Sequence, residues 1–442
     1  MPDVITEKEV LEIWQGSLQG RTDLRTDDNA SVSIIYPGRR NDDRGADFKD
    51  AVITAGHKRL KGDVEIHVKT SNWWAHGHHQ DPAYNRVILH VVYRNDIGKA
   101  IVLQNGARAP TLALYGFIKT DNCPAPPPAI PCRNIFYRGN TGFIGRMLEE
   151  AGEQRFLARA AYFRKTIARA GAGQALYHGI LTALGYAKNK QPMAELAVCL
   201  PLNKLATAPD EMPDSEYLAR CQALLTGTAG LLPSSHSAIF SASNHHENWE
   251  AKLVDIWANS GERVCLSPAV WSLFKVRPGN HPVRRLAAMS YLLLRYRQKG
   301  LLDGLEEKLQ AAAVDKGNHF LEQALLVAPD DYWSHFLDFG VPATGAAPAL
   351  LGSGRAADIV INVLLPFAYA RGPALQSEKA LEVYRHYRSL EENTLVKHMR
   401  RQLGISQTFM ADARRQQGLI HIYKTLCSQG KCDECQMKTP GI

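Results

Sequence analysis

The stretch GDVEIHVKTSNWWAHGHHQD, Gly62 to Asp81, packs four histidines, a glutamate and two aspartates into one short span. Its first half alternates. On a strand, Asp63, Glu65, His67 and Lys69 share one face, while Val64, Ile66 and Val68 share the other. Glutamate and histidine are weak strand formers, so placing Glu65 and His67 there calls for a chemical reason. Asp47, in GADF, precedes the neighbouring strand, and a tight hairpin brings it beside Glu65. Two such carboxylates can hold Mg²⁺ or Mn²⁺. A third group, His67 or Lys69, would then position water or stabilise charge for attack on a phosphodiester. The same span offers a second chemistry. Glu65, His67, His76, His78 and His79 lie close in sequence, His90 follows on the next strand, and imidazole with carboxylate suits Zn²⁺, Mn²⁺ or Fe²⁺. The ordinary alternative is a polar strand face followed by an exposed loop. Trp73 and Trp74 are expected to pack, one in the core and one shielding the site.

Cys427, Cys432 and Cys435 are spaced C-x4-C-x2-C. Three thiols so close together suit zinc or an iron–sulfur cluster, which needs a fourth ligand. His421 is the nearest candidate, and Cys123, Cys132, Cys199, Cys221 and Cys265 are more distant ones. Such a site would be structural, with the sulfurs of one ion about 3.5–4 Å apart. The alternative is a trio of ordinary thiols on a polar tail. Arg39, Arg40 and Arg44, in GRRNDDRGADF, stand next to Asp47 and could meet nucleic-acid phosphates, or form a solvated charged loop. RPGNHPVRR and KNK carry the same two readings. GSGRAADIV lacks the spacing and lysine of a P-loop, and no GxSxG occurs.

These residues need elements to hold them. Thr6 can cap a helix over 5–16 with Val10, Leu11 and Trp14 on its apolar side. Strands are expected at 31–36, 50–55, 62–70 and 85–96, with AIVLQN and TLALYGFI as two more. DNCPAPPPAIPC, Asp121 to Cys132, is stiff and reads as a boundary. From Phe143 helical spacing dominates, including DIVINVLLPFAYARG and SEKALEVYRHYRSLEENTLVKHMRRQL. The expected fold class is α+β: a mixed-sheet module over residues 1–142, then a mainly helical domain over 143–442 that ends in the cysteine motif.

With 442 residues, a sizeable core is easily built. The net charge of +8, from 52 basic and 44 acidic residues, is compatible with a polyanionic partner such as DNA or RNA. There is no long apolar run, which argues against a membrane partner, and the N-terminus lacks the pattern of a secretory signal. The expected location is the cytoplasm, with all eight cysteines as reduced thiols or metal ligands.

The order helix, strand, strand preceded by Asp47, strand with Glu65-x-His67, short helix, strand resembles the PD-(D/E)XK nuclease-like superfamily. Ala46 stands where that motif has proline, and His67 where it has lysine. The resemblance implies a metal-dependent nuclease with Asp47 and Glu65 as metal ligands. Some nucleases of that superfamily also carry a C-terminal cysteine cluster. Over nearly its whole length, through GRRNDDRGADFKDA, the Gly62–Tyr93 span, ALYHGILTALGYAKNKQPMAELA, RPGNHPVRRLA and GLIHIYKTLCSQGKCDEC, the chain also resembles a bacterial family, domain-of-unknown-function family 2851. That likeness implies that these segments form one functional unit without naming a reaction. The expected function is phosphodiester hydrolysis. Its rivals are a non-catalytic nucleic-acid or protein-binding adaptor of the same fold and a histidine-rich metal hydrolase of a small substrate.

Overall fold

The computed structural model describes residues 5–16, 18, 21, 23–115, 130–137, 139–207, 209, 211–233, 245–312 and 317–438. The chain is α+β, with a mixed sheet near the N-terminus and mostly helices after it. Two compact units form. The first comprises 1–152, 392–410 and 415–442; the second comprises 153–391 and 411–414. The C-terminal segment with its cysteines thus belongs to the sheet-bearing unit, not to the helical domain expected over 143–442. Local periodicity marks that segment as helical but carries no information on which core it joins.

Helix α1 (Glu7–Gly16) opens with a capping box: the Thr6 amide donates to Glu9 Oε2 at 2.6 Å and the Glu9 amide to Thr6 Oγ1 at 3.4 Å. Its apolar side, Val10, Leu11 and Trp14, is buried. Strands β1 (Val32–Tyr36), β2 (Arg39–Arg40), β3 (Phe48–Ala55), β4 (Lys58–Lys69), β5 (Val87–Arg94) and β8 (Thr111–Ala113) form one sheet, in the order β1-β3-β4-β5-β8 with β2 alongside β3. The β1–β3 and β3–β4 pairs are antiparallel, whereas β4–β5 and β5–β8 are parallel. A parallel pair needs a crossover. Here residues 70–86 supply it, with helix α2 (Asn72–Ala75) and two short 3₁₀ turns, and they carry His76, His78 and His79. Gly62 admits this return because a Cβ there would stand 2.4 Å from the Arg86 carbonyl oxygen. Residues 101–113 are less regular than expected: Ile101–Val102 (β6) pairs only with Arg108–Ala109 (β7), and the part of TLALYGFI beyond Tyr115 lies outside the described residues. So does DNCPAPPPAIPC before Ile130.

One sheet face is apolar. Val64 and Ile66 of β4 pack with Leu89, Val91, Phe48 and the buried side of α1. On the other face, Tyr36 and Val52 join a cluster with Val396, Met399, Leu419 and Tyr423, all within the first unit. Ala46, Trp73, Val87, Ile101 and Leu103 close a smaller cluster under the crossover.

The second unit is a helical assembly around its own core. DIVINVLLPFAYARG is helical as expected but widens to a π turn over Val360–Leu364. Pro366 has no amide and crowds the carbonyl four residues back. That Asn362 carbonyl accepts from Arg159 Nη2 at 2.8 Å instead. SEKALEVYRHYRSLEENTLVKHMRRQL is not one helix but two, Ala374–Arg385 and Thr394–Leu403. Cys199 and Cys265 form a disulfide, so the expectation that every cysteine is a thiol or ligand fails for this pair. Among the described residues, no helix is long and apolar enough to cross a membrane.

Candidate metal centre

Asn41 shapes the approach to β3. Its Nδ2 donates to the carbonyls of Asp43 and Ala46, both at 3.0 Å. Asp47 follows, immediately before β3. Its carboxylate Oδ2 accepts from the Ile66 amide at 3.0 Å, while its own amide donates to Glu65 Oε2 at 3.1 Å. The hairpin therefore interlocks the two acids, as their sequence positions predicted. Glu65 Oε1 lies 3.2 Å from His78 Nε2 and 3.6 Å from His67 Nε2.

Gly77 reverses the crossover at φ +74°, a conformation glycine adopts freely, and this turns His76 and His78 back onto His67. Ligand nitrogens of His67, His76 and His78 all lie within 4.8 Å of one another, the one such group among the described residues. His67 Nδ1 meets His90 Nε2 at 2.9 Å, and His67 Nε2 meets His76 Nδ1 at 3.1 Å. In the tautomer that donates Nδ1–H to His90, the His67 Nε2 lone pair faces the other imidazoles, as it does when a ligating histidine is held by a hydrogen bond from its far nitrogen. Tyr84 stacks on His78 with ring centroids 3.9 Å apart.

The sheet face that alternation marks as polar is deeply buried: Glu65 is 5% exposed and His67 1%. Burial keeps His67 and His90 neutral, lowering them to about 2 and about 3. Burial, with Glu65 as neighbour, raises Asp47 to about 7. Burial also raises Glu65 to about 8, with Glu7 adding to it. A divalent cation among these groups would invert that balance. Neutral imidazoles beside two carboxyl groups are a donor set that fits Mn²⁺, which accepts both ligand classes.

A pH prediction follows with a definite sign. Each acid holds its proton more tightly folded than unfolded, where ordinary values are about 4. It therefore costs stability as pH rises from there to about 7 and about 8. The buried imidazoles act oppositely below about 6.5, where the unfolded chain protonates them. The two effects offset each other up to about pH 6.5 and leave only the carboxyl term above it. Metal-free protein should lose melting temperature between about pH 6.5 and 8, and Mn²⁺ should reverse that slope because it displaces the protons. Thermal melts with and without metal test this; a flat metal-free profile would mean both acids are already ionised.

The other candidates are placed as follows. His79 is half-buried beside this group and not part of it. Lys69 is exposed at the end of β4 and its backbone amide donates to Asn72. The half-buried lysine is instead Lys49, 2.9 Å from Asp63 and close enough to act on Glu65 electrostatically. Arg39 and Arg40 lie on β2 opposite Lys49 and Phe48, and Arg44 pairs with Asp81 at 3.0 Å. Lys49 and Glu7 carried no sequence signal, because their approach to Glu65 depends on the sheet and on the docking of α1.

A family model described as "Protein of unknown function (DUF2851)" matches residues 7–394. The chain belongs to this family. No curated protein and no solved structure matches it. The residues matched to DUF2851 include Asp47, Glu65 and every histidine of the centre, and stop before Cys427.

The cysteine motif lies in the same unit. Cys427, Cys432 and Cys435 line one pocket, and its fourth cysteine is Cys132. His421, on the helix Ala413–Thr425, is not among the lining residues. Cys199 and Cys265 are in the disulfide, Cys221 is buried in the second unit, and Cys123 lies outside the described residues.

Proposed function

We propose that this DUF2851 chain is a metal-dependent, nuclease-like hydrolase that cleaves nucleic-acid phosphodiesters at the Asp47–Glu65 centre. The observation that carries this reading is the interlocking of two carboxyl groups, Asp47 and Glu65, with His78 and His67 beside Glu65 Oε1 and His76 completing the group of three imidazoles. The order of elements agrees with it: α1, an antiparallel β1–β3–β4 arrangement, a short helix, and β5 parallel to β4. Asp47 and Glu65 would supply negative charge to such an ion, and His67 and His78 would be its imidazole ligands. When bound, Mn²⁺ or Mg²⁺ would acidify a water and take up charge on a phosphoryl oxygen. His76, exposed at the mouth, is the group that faces substrate. Lys49 stands where a cation can stabilise the developing charge. Arg39 and Arg40 on β2 would hold the flanking phosphates.

Burial favours a second reading, hydrolysis of a small phosphodiester. Glu65 and His67 lie under a crossover carrying Trp73 and Tyr84, so a duplex must displace or skirt it. One experiment separates the readings: protein loaded with Mn²⁺, Mg²⁺ or Zn²⁺ is offered single- and double-stranded DNA and RNA and a small aryl phosphodiester. Cleavage of polymer supports the nuclease reading, and cleavage of the small ester alone supports the second. Failure of every metal-loaded form on every substrate removes both and leaves the non-catalytic adaptor.

Binding to nucleic acid should also weaken with salt. The log–log slope should be roughly −0.7 to −0.9 per phosphate neutralised, and Arg40→Ala should make it shallower by about one phosphate. A salt-insensitive interaction would show that β2 does not touch the backbone.

A further inference from the structure

We propose that Cys132, Cys427, Cys432 and Cys435 together bind an iron–sulfur cluster, with Cys132 as the fourth thiolate. The four residues come from two distant parts of the chain and line a single pocket, with Tyr36 and Ile130 among its apolar walls. None of the four is in a disulfide. The thiols are close enough to act on one another: burial and the neighbouring Cys432 and Cys435 all raise Cys132 and Cys427. Burial raises the Cys132, Cys427 and Cys435 thiols and so holds their protons in the metal-free chain, while the gathering of four sulfurs at one pocket gives a ligand set for a metal centre.

The surrounding donors point the same way. Gln402 Nε2 donates to Cys132 Sγ at 3.4 Å and also reaches Cys427, and the Met437 amide donates to Cys435. N–H groups aimed at sulfur favour the anionic ligand and tune a bound cluster. The loop that carries Cys427 and Cys432 is fixed in place. Gly430 sits at φ +65°, with no room for a Cβ beside Arg59 and Val52. Arg59 Nη2 donates to the carbonyls of Gln429 and Gly430 at 2.8 and 2.6 Å.

The spacing favours a cluster over a single ion. A single tetrahedral zinc at about 2.3 Å from each sulfur needs sulfurs about 3.8 Å apart. Among the described residues, no three cysteine sulfurs lie within 4.8 Å of one another. A cluster binds each thiolate to a separate position on its edge and so spreads them wider, with inorganic sulfide filling the space between. On assembly of a four-iron core from two ferrous ions, two ferric ions and four sulfides, no net electron transfer is needed; each cysteine exchanges its thiol proton for an iron bond, and the thiols release four protons.

The test uses the full chain, purified without oxygen and reconstituted with equal amounts of ferrous and ferric iron and with sulfide. Iron and acid-labile sulfide should be present in equal amounts, with a broad visible charge-transfer band and an all-sulfur iron shell by X-ray absorption. Cys132→Ser should lose the band, while His421→Ala and Cys221→Ser should keep it. Cluster loss should lower the melting temperature and leave Mn²⁺ affinity at Glu65 unchanged, which separates this site from the proposed hydrolytic one. Wild-type protein that takes up only zinc, or no metal at all, overturns the proposal. So does a folded Cys132→Ser variant with an undiminished band. If Cys132→Ser is insoluble, the wild-type metal content and iron shell decide alone.

Discussion

Glu65→Gln should lose metal-dependent turnover by roughly two to four orders of magnitude while melting no lower than the parent. The first half rests on charge. Removing one anionic ligand forfeits several kcal/mol of transition-state stabilisation, and each 1.36 kcal/mol is a factor of about ten. The second half rests on burial. Glu65 is 5% exposed, and its carboxyl group is pushed up to about 8. Between about pH 6.5 and 8 the metal-free chain carries the cost of a poorly solvated acid. A glutamine keeps the shape, and its carbonyl oxygen can still accept from the Asp47 amide, the 3.1 Å bond of the parent. The variant should therefore flatten the metal-free stability profile over that window. Calorimetry and Mn²⁺ titration across pH give both answers. Wild-type metal affinity in the variant, or an unfolded variant, would make Glu65 a structural residue and remove the main support for hydrolysis.

Trp73→Ala should be the most destabilising single change near the centre, costing about 3–5 kcal/mol. Trp73 is fully buried, and its Nε1 donates to the Val102 carbonyl at 3.1 Å. Its ring lies 5.4 Å from that of His78, 5.6 Å from His90 and 5.8 Å from Tyr84. It is thus the wedge that fixes the crossover against β5. Removing it opens a cavity and frees the segment that presents His76 and His78. At roughly 2–4 °C per kcal/mol for a unit of this size, the melting point should drop by on the order of 10 °C, and metal affinity should fall with it. Trp73→Phe keeps most of the packing and should recover most of both. An alanine variant that melts with the parent would show that the crossover is held elsewhere.

The Trp73 result also bears on what could be read in advance. The pair Trp73–Trp74 was legible as packing residues next to the site, and Trp73 is buried while Trp74 is half-buried. Which of them wedges against β5 was not legible, because it depends on the path of residues 70–86 between two parallel strands.

Alternation over Gly62–Lys69 placed Val64 and Ile66 on an apolar face and Asp63, Glu65 and His67 opposite. Capping chemistry at Thr6 with spacing at Val10, Leu11 and Trp14 marked α1, and the short β3–β4 turn brought Asp47 to Glu65. These are local properties, carried by the period of the element or by a turn of two residues, and the sequence by itself determined them. It also grouped Cys427, Cys432 and Cys435, which line one pocket. The tertiary structure decided the rest. It buried Glu65 and His67 under the crossover, where burial raises the acid and keeps the imidazole neutral. It brought in Glu7 and Lys49, left Lys69 outside, joined Cys199 to Cys265, and placed Cys132 rather than His421 in the pocket with Cys427, Cys432 and Cys435. Each of these pairs residues far apart in the chain. Periodicity reports which face a side chain occupies, but only the docking of one element on another sets what that face meets.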